Sequence, residues 1–128
     1  MNKNILTVLG LCILAILLFF AFYYWDASVA GVPVDFNGIV LYYSDSCPHC
    51  KNVEKWLTEN NVAEKVNYTR KSVDKAANVN DFFAKGAACG FKEGDNKYGS
   101  IPLLYDGESG TCYLGEVEVV DFLEEKIK

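Results

Sequence analysis

The hydrophobic and polar positions of this chain change rhythm several times, and each change marks an element. Ile5 to Trp25 is a run of 21 residues without a charge. As a helix rising 1.5 Å per residue it is about 31 Å long, which matches a bilayer hydrocarbon core of about 30 Å. Tyr23, Tyr24 and Trp25 close the run with side chains suited to a membrane–water interface. Lys3 precedes it and Asp26 and Asp35 follow it, so the basic bias keeps the N-terminus cytoplasmic and the remainder outside. A cleaved signal peptide is the competing reading, because Ser28-Val29-Ala30 has small residues spaced like a cleavage site. Both readings put the rest of the chain on the same side of the membrane. Residues 27–37 are small, contain Pro33 and lack periodicity, as a linker does. The expected organisation is therefore a spanning helix over 1–26, a linker over 27–37 and one domain over 38–128.

Within that domain the rhythm is of a second kind. Ile39 to Tyr43 is continuously apolar and rich in strand formers, as in a strand buried on both faces. From Cys47 to about Asn60 the apolar Val53, Trp56 and Leu57 share one helical face, and Asn60-Asn61 ends the helix. Val66 to Arg70 alternates weakly and predicts a second strand. Val79, Phe82, Phe83 and Gly86 or Ala87 repeat at helical spacing, so Lys75 to Ala88 predicts a helix with Gly90 as its stop. Ile101 to Tyr105 and Thr111 to Leu114 flank the turn Asp106–Gly110 and predict a hairpin. A last helix starts near Glu116, with Val119 or Val120, Leu123 and Ile127 on one face. The opening strand–helix–strand unit requires a parallel pair with a right-handed crossover. The expected fold class is α/β, a mixed four-stranded sheet with helices on both faces.

Composition narrows the picture. The 128 residues carry a formal charge of −5, and the part after residue 4 is near −6. That excludes a phosphate-binding surface and hence nucleic acid as a partner. With 14% aromatic residues and 3 prolines the chain is not disordered.

The chemistry lies in Cys47-Pro48-His49-Cys50, where the first strand ends and the first helix of the domain begins. Cys47 stands at the helix N-terminus, where free N–H groups and the dipole favour the thiolate, the reactive form. Pro48 suits the first helical position because its missing N–H costs nothing there. His49, the only histidine, can add positive charge or a hydrogen bond to that thiolate. Cys50 lies one turn on and can attack a mixed disulfide on Cys47, which makes the pair a redox switch. A metal site or a structural disulfide is the plainer use of two such cysteines. The setting after a buried strand and at the head of a helix argues for redox chemistry.

These residues resemble the thioredoxin superfamily, and within it the glutaredoxin-like branch. The resemblance rests on IVLYYSDSCPHC, the order of elements, Ser100-Ile101-Pro102 before the third strand and Tyr113-Leu114-Gly115 before the last helix, and it covers about residues 37–128. It implies a thioredoxin/glutaredoxin-like fold, a cis peptide bond at Pro102 facing the cysteines, and substrate binding by Pro48, Ile101 and Pro102. The Pro-His dipeptide resembles that of periplasmic disulfide oxidases, in which the reduced thiolate is strongly stabilised; a stabilised reduced form makes a better oxidant. Two departures weigh against glutathione. Ser44 stands where glutaredoxins often place a lysine, and Glu116 stands where they usually have a second glycine. A carboxylate at that helix N-terminus competes with a ligand carboxylate for the same N–H groups.

Cys89 and Cys112 complete an even set of four cysteines outside the apolar run, and parity predicts a second disulfide between them. Two unrelated thiols remain the alternative. The expected function is a membrane-anchored, extracytoplasmic thiol–disulfide oxidoreductase with catalytic Cys47, Cys50 and His49. Its expected partners are protein dithiols and disulfides, a membrane or soluble redox partner, and a bilayer met through residues 5–25. No cofactor and no metal ligand is expected. The alternatives are a glutathione-dependent glutaredoxin, a Cys₄ zinc module on Cys47, Cys50, Cys89 and Cys112, or a carrier of a soft metal ion on Cys47 and Cys50.

Overall fold

The computed structural model describes residues 2–26 and 38–128. The chain divides into two compact units, Met1–Val34 and Asp35–Lys128. The expected linker, 27–37, lies outside the described residues.

The described residues of the first unit form the helix α1, Lys3–Asp26. Its side chains over 7–21 are exposed, and Cys12 among them is a free thiol. Among the described residues no helix is long and apolar enough to cross a membrane. The expected helix is therefore present, but a membrane span over 5–25 has no support from the structure.

The second unit runs β1 (Ile39–Tyr43), α2 (Pro48–Glu59), α3 (Val62–Lys65), β2 (Tyr68–Ser72), α4 (Ala76–Ala88), β3 (Leu103–Asp106), β4 (Thr111–Leu114) and α5 (Glu116–Ile127). The four strands form one mixed sheet in the order β2-β1-β3-β4. β1 pairs parallel with β2 and antiparallel with β3, and β3 pairs antiparallel with β4. This is the expected mixed four-stranded sheet. The period-2 geometry of a strand explains why β1 is apolar throughout. Leu41 and Leu104 point to one layer, where they pack with Val53 and Leu57 of α2, Val62 of α3 and Val119, Phe122 and Leu123 of α5. Val40, Tyr42, Leu103 and Tyr105 point to the other layer, against Phe82 of α4. Each fully buried aliphatic side chain in these layers contributes about 1.5–3 kcal/mol.

Element ends differ from the expectation where a local hydrogen bond intervenes. Asn61 takes a left-handed φ of 51° after α2 and starts the unexpected turn α3. Val66 N–H then closes α3 on the Val62 carbonyl at 2.9 Å. This leaves Val66 outside the sheet and moves β2 two residues on, to Tyr68–Ser72. β3 begins at Leu103 rather than Ile101, because Pro102 has no N–H for the ladder and the antiparallel register opens at Leu103 opposite Tyr42. α4 ends as Gly90 permits. Gly90 has φ 83°, its N–H bonds to the Ala87 carbonyl at 2.9 Å, and Phe91 N–H bonds to the Gly86 carbonyl at 3.0 Å. That pair of bonds is a Schellman stop, and it needs a left-handed residue at Gly90.

On the α4 side of the sheet, Tyr42 donates its hydroxyl to Asp81 at 2.7 Å, and Lys71 pairs with the same carboxylate. Burial works against the Asp81 anion, yet the bonds from Lys71 and Tyr42 outweigh it and hold the carboxyl below its ordinary range.

Candidate functional site

The site forms where β1 hands over to α2. Cys47 is the N-cap of α2, in extended conformation, and its Sγ accepts the Cys50 N–H at 3.2 Å. A thiol thereby fills the place usually taken by Ser or Asp, satisfying one of the free N–H groups of the first turn. Pro48 is the first helical residue. The Cys47 thiol also donates to the Ile101 carbonyl at 3.9 Å. The Ile101–Pro102 bond is cis, and the Pro102 carbonyl accepts Gly115 N–H at 2.9 Å. β1, α2 and the segment before β3 thus meet at one sulfur, and the head of α5 is tied to that segment.

The two sulfurs are unequal. Cys47 is partly exposed, whereas Cys50 is buried at 4% exposure, and both are free thiols. Burial pushes the Cys50 thiol up to about 12, and the hydrogen bond and charge of Cys47 add to the effect. Cys50 therefore stays protonated at neutral pH, and Cys47 is the sulfur that a partner can reach.

A groove of about 600 Å³ opens at this point, lined by His49, Ile101, Pro102, Leu114, Glu116 and Val117 among others. Its lining combines the apolar Ile101, Pro102, Leu114 and Val117 with the carboxylates of Glu116 and Glu118. The expected contact between His49 and the thiolate is not made. His49 Nδ1 instead lies 3.0 Å from Glu116 Oε2, which also accepts Asn52 Nδ2–H at 3.0 Å. Glu116 is the first residue of α5. The bonds from Asn52 and then His49 hold its carboxyl below the usual range. Glu118, two residues further on, accepts the Leu114 N–H at 2.9 Å. The sequence marked Glu116 only as a competitor for a ligand carboxylate, and it did not mark Asn52 at all. The signal for Asn52 was its position three residues after His49, which puts both on one face of α2.

Asp74 also went unmarked. Ser44 is buried and donates its hydroxyl to Asp74 at 2.8 Å, and Asp45 N–H donates to the same carboxylate at 2.9 Å. These bonds, led by the Asp45 N–H, hold the Asp74 carboxyl below its ordinary range. The loop that presents Cys47 is thereby tied to the residue two places beyond β2.

Cys89 and Cys112 are joined by a disulfide, with Cα atoms 5.9 Å apart. The bridge links the end of α4 to β4, and neither cysteine lines the groove. It also removes two of the four ligands that a Cys₄ zinc module would need.

No family model and no curated relative matches the chain. A solved structure with similarity in shape is a buckwheat glutaredoxin in complex with glutathione. It has a TM-score of 0.47 and 16% sequence identity, over 73% of this chain and 79% of that one. That degree of likeness assigns neither a family nor a ligand to this chain.

Proposed function

We propose that this protein is a thiol–disulfide oxidoreductase that acts on protein dithiols and disulfides through Cys47 and Cys50. The observation that carries this reading is the division between the two sulfurs: one partly exposed at a helix N-terminus beside a groove, the other buried and protonated one turn away. In the reducing direction the Cys47 thiolate attacks a substrate disulfide, forms a mixed disulfide and releases one substrate thiolate. Cys50 then gives up its proton and attacks the Cys47 sulfur. The second substrate thiolate leaves, and two electrons have passed from the cysteine pair to the substrate. Substrate oxidation is the same course reversed. The exchange uses only the two sulfurs, and a membrane or soluble redox partner restores them.

The acidic residues of the groove support protein segments over glutathione as substrates. The Glu116 carboxylate bonds to His49 and Asn52 rather than to the α5 N–H groups, but its charge at the head of that helix repels a glutathione carboxylate. Ser44, turned inward to Asp74, offers no cation to such a ligand. The Cys89–Cys112 bridge supports an oxidising compartment. The uncharged sequence from Ile5 to Trp25, with Lys3 before it, supports a single-pass anchor with a cytoplasmic N-terminus. Resistance of the full chain to alkaline extraction from membranes tests that anchor.

The decisive experiment is Cys50→Ser. It removes the resolving sulfur, so a mixed disulfide on Cys47 accumulates, and Cys47→Ser abolishes it. The mass of the adduct separates a protein partner from glutathione. If no adduct forms at any ratio of glutathione to its disulfide, the exchange reading fails.

A further inference from the structure

We propose that Glu116 is a positioning residue that draws the His49 imidazole away from the Cys47 sulfur, setting the cysteine pair less oxidising than a free His49 would make it. This rests on the exchange reading above. The argument begins with what each group touches. The Cys47 sulfur bonds to Cys50 N–H and to the Ile101 carbonyl. His49, two residues on, spends its Nδ1 on Glu116 Oε2 at 3.0 Å. Asn52, on the same face of α2, grips that oxygen from a second side at 3.0 Å.

Glu116 is held in place by its backbone as well. It opens α5, whose first-turn N–H groups favour a carboxylate. From α5 the other charge on the groove is Glu118, and it is turned to the Leu114 N–H. From the segment before β3 come Ile101 and Pro102, which are uncharged. Glu116 is thus the charged group in contact with His49. An imidazole paired with a carboxylate presents little net charge to a neighbouring sulfur. Released from it, the ring regains a free N–H that can turn toward the sulfur. Stabilising the thiolate stabilises the reduced form and moves the pair toward an oxidant.

The test is the equilibrium of the full chain in detergent with glutathione: protein disulfide plus two glutathione gives protein dithiol plus glutathione disulfide. Glu116→Ala removes both the charge and the acceptor. Glu116→Gln removes the charge but keeps an oxygen that accepts the Nδ1–H. Glu116→Ala is expected to shift the equilibrium toward the dithiol by about two- to fivefold, the range for an exposed ion pair. Glu116→Gln is expected to shift it less, and the gap between the two is expected to vanish in a His49→Ala background. Asn52→Ala, which removes the second grip, is expected to shift it in the same direction. Equal shifts for the two Glu116 variants, a gap that persists without His49, or a shift of opposite sign for Asn52→Ala overturns the proposal. If the unsubstituted chain shows no dithiol–disulfide equilibrium at all, the exchange reading itself has failed, which is a different result.

Discussion

Replacing both Cys89 and Cys112 with Ala opens the bridge between α4 and β4, and the cost follows from chain length. The two positions are 23 apart, so the bridge closes a loop of about 24 residues. On the chain-entropy relation this removes about 11.6 cal/mol/K from the unfolded ensemble, or about 3.5 kcal/mol at 25 °C. The Cys112 sulfur also lies 3.7 Å from the Lys85 carbonyl, at the edge of the layer that holds Phe82 and Tyr105. Its loss therefore adds to the entropic term. Urea unfolding of the unit Asp35–Lys128 is the assay, with Cys47 and Cys50 both changed to Ser in each arm so that one bridge alone differs. For a unit of this size about 3.5 kcal/mol corresponds to a fall in Tm of about 14–28 °C. The urea slope m should rise as well, because the uncrosslinked unfolded chain exposes more surface. A stability loss under about 1 kcal/mol with no change in m would refute the loop-closure reasoning.

Two further predictions concern titration. The Cys50 thiol is pushed up to about 12 mainly by burial, which persists in the mixed disulfide after the Cys47 charge is gone. Resolution should therefore accelerate nearly tenfold per pH unit from pH 6 to 8; a rate independent of pH in stopped-flow measurements would refute this. The Asp74 carboxyl is held low by Asp45 N–H and the Ser44 hydroxyl. Its contribution to stability is present above the unfolded value of about 3.9 and is lost as pH falls through the lower folded value. Asp74→Asn should remove that acid-side loss and speed hydrogen exchange at Asp45–Cys47; unchanged exchange there would show that Asp74 does not hold the loop.

What the sequence disclosed and what it hid divide along the distance over which each feature is decided. β1 was legible because burial on both faces leaves a continuous apolar run, and the sheet does place Leu41 on one layer and Val40 and Tyr42 on the other. The start of α2 was legible because a proline at the first helical position and a cap before it are neighbours in the chain. The edges of β2 and β3 were not, since they depend on register: Val66 was taken by α3, and β3 could begin only where its pairing with β1 begins.

The same rule governs the site. Ser44 and Asp74 are 30 positions apart and meet only because β1 and β2 pair in parallel, with Tyr43 opposite Ser72. His49 and Glu116 are 67 apart and meet only because α2 and α5 pack on one face of the sheet. Local reasoning placed a cation beside Cys47 because His49 is two residues from it in sequence. It also placed an anion at the head of α5 because Glu116 begins that helix. Folding brings these two readings together, and in that contact each changes the meaning of the other. The histidine beside the sulfur is claimed by the carboxylate across the groove. The carboxylate that would repel an anionic ligand is also the group that restrains the histidine. The charge at this site is therefore a property of the α2–α5 packing as much as of the four-residue motif.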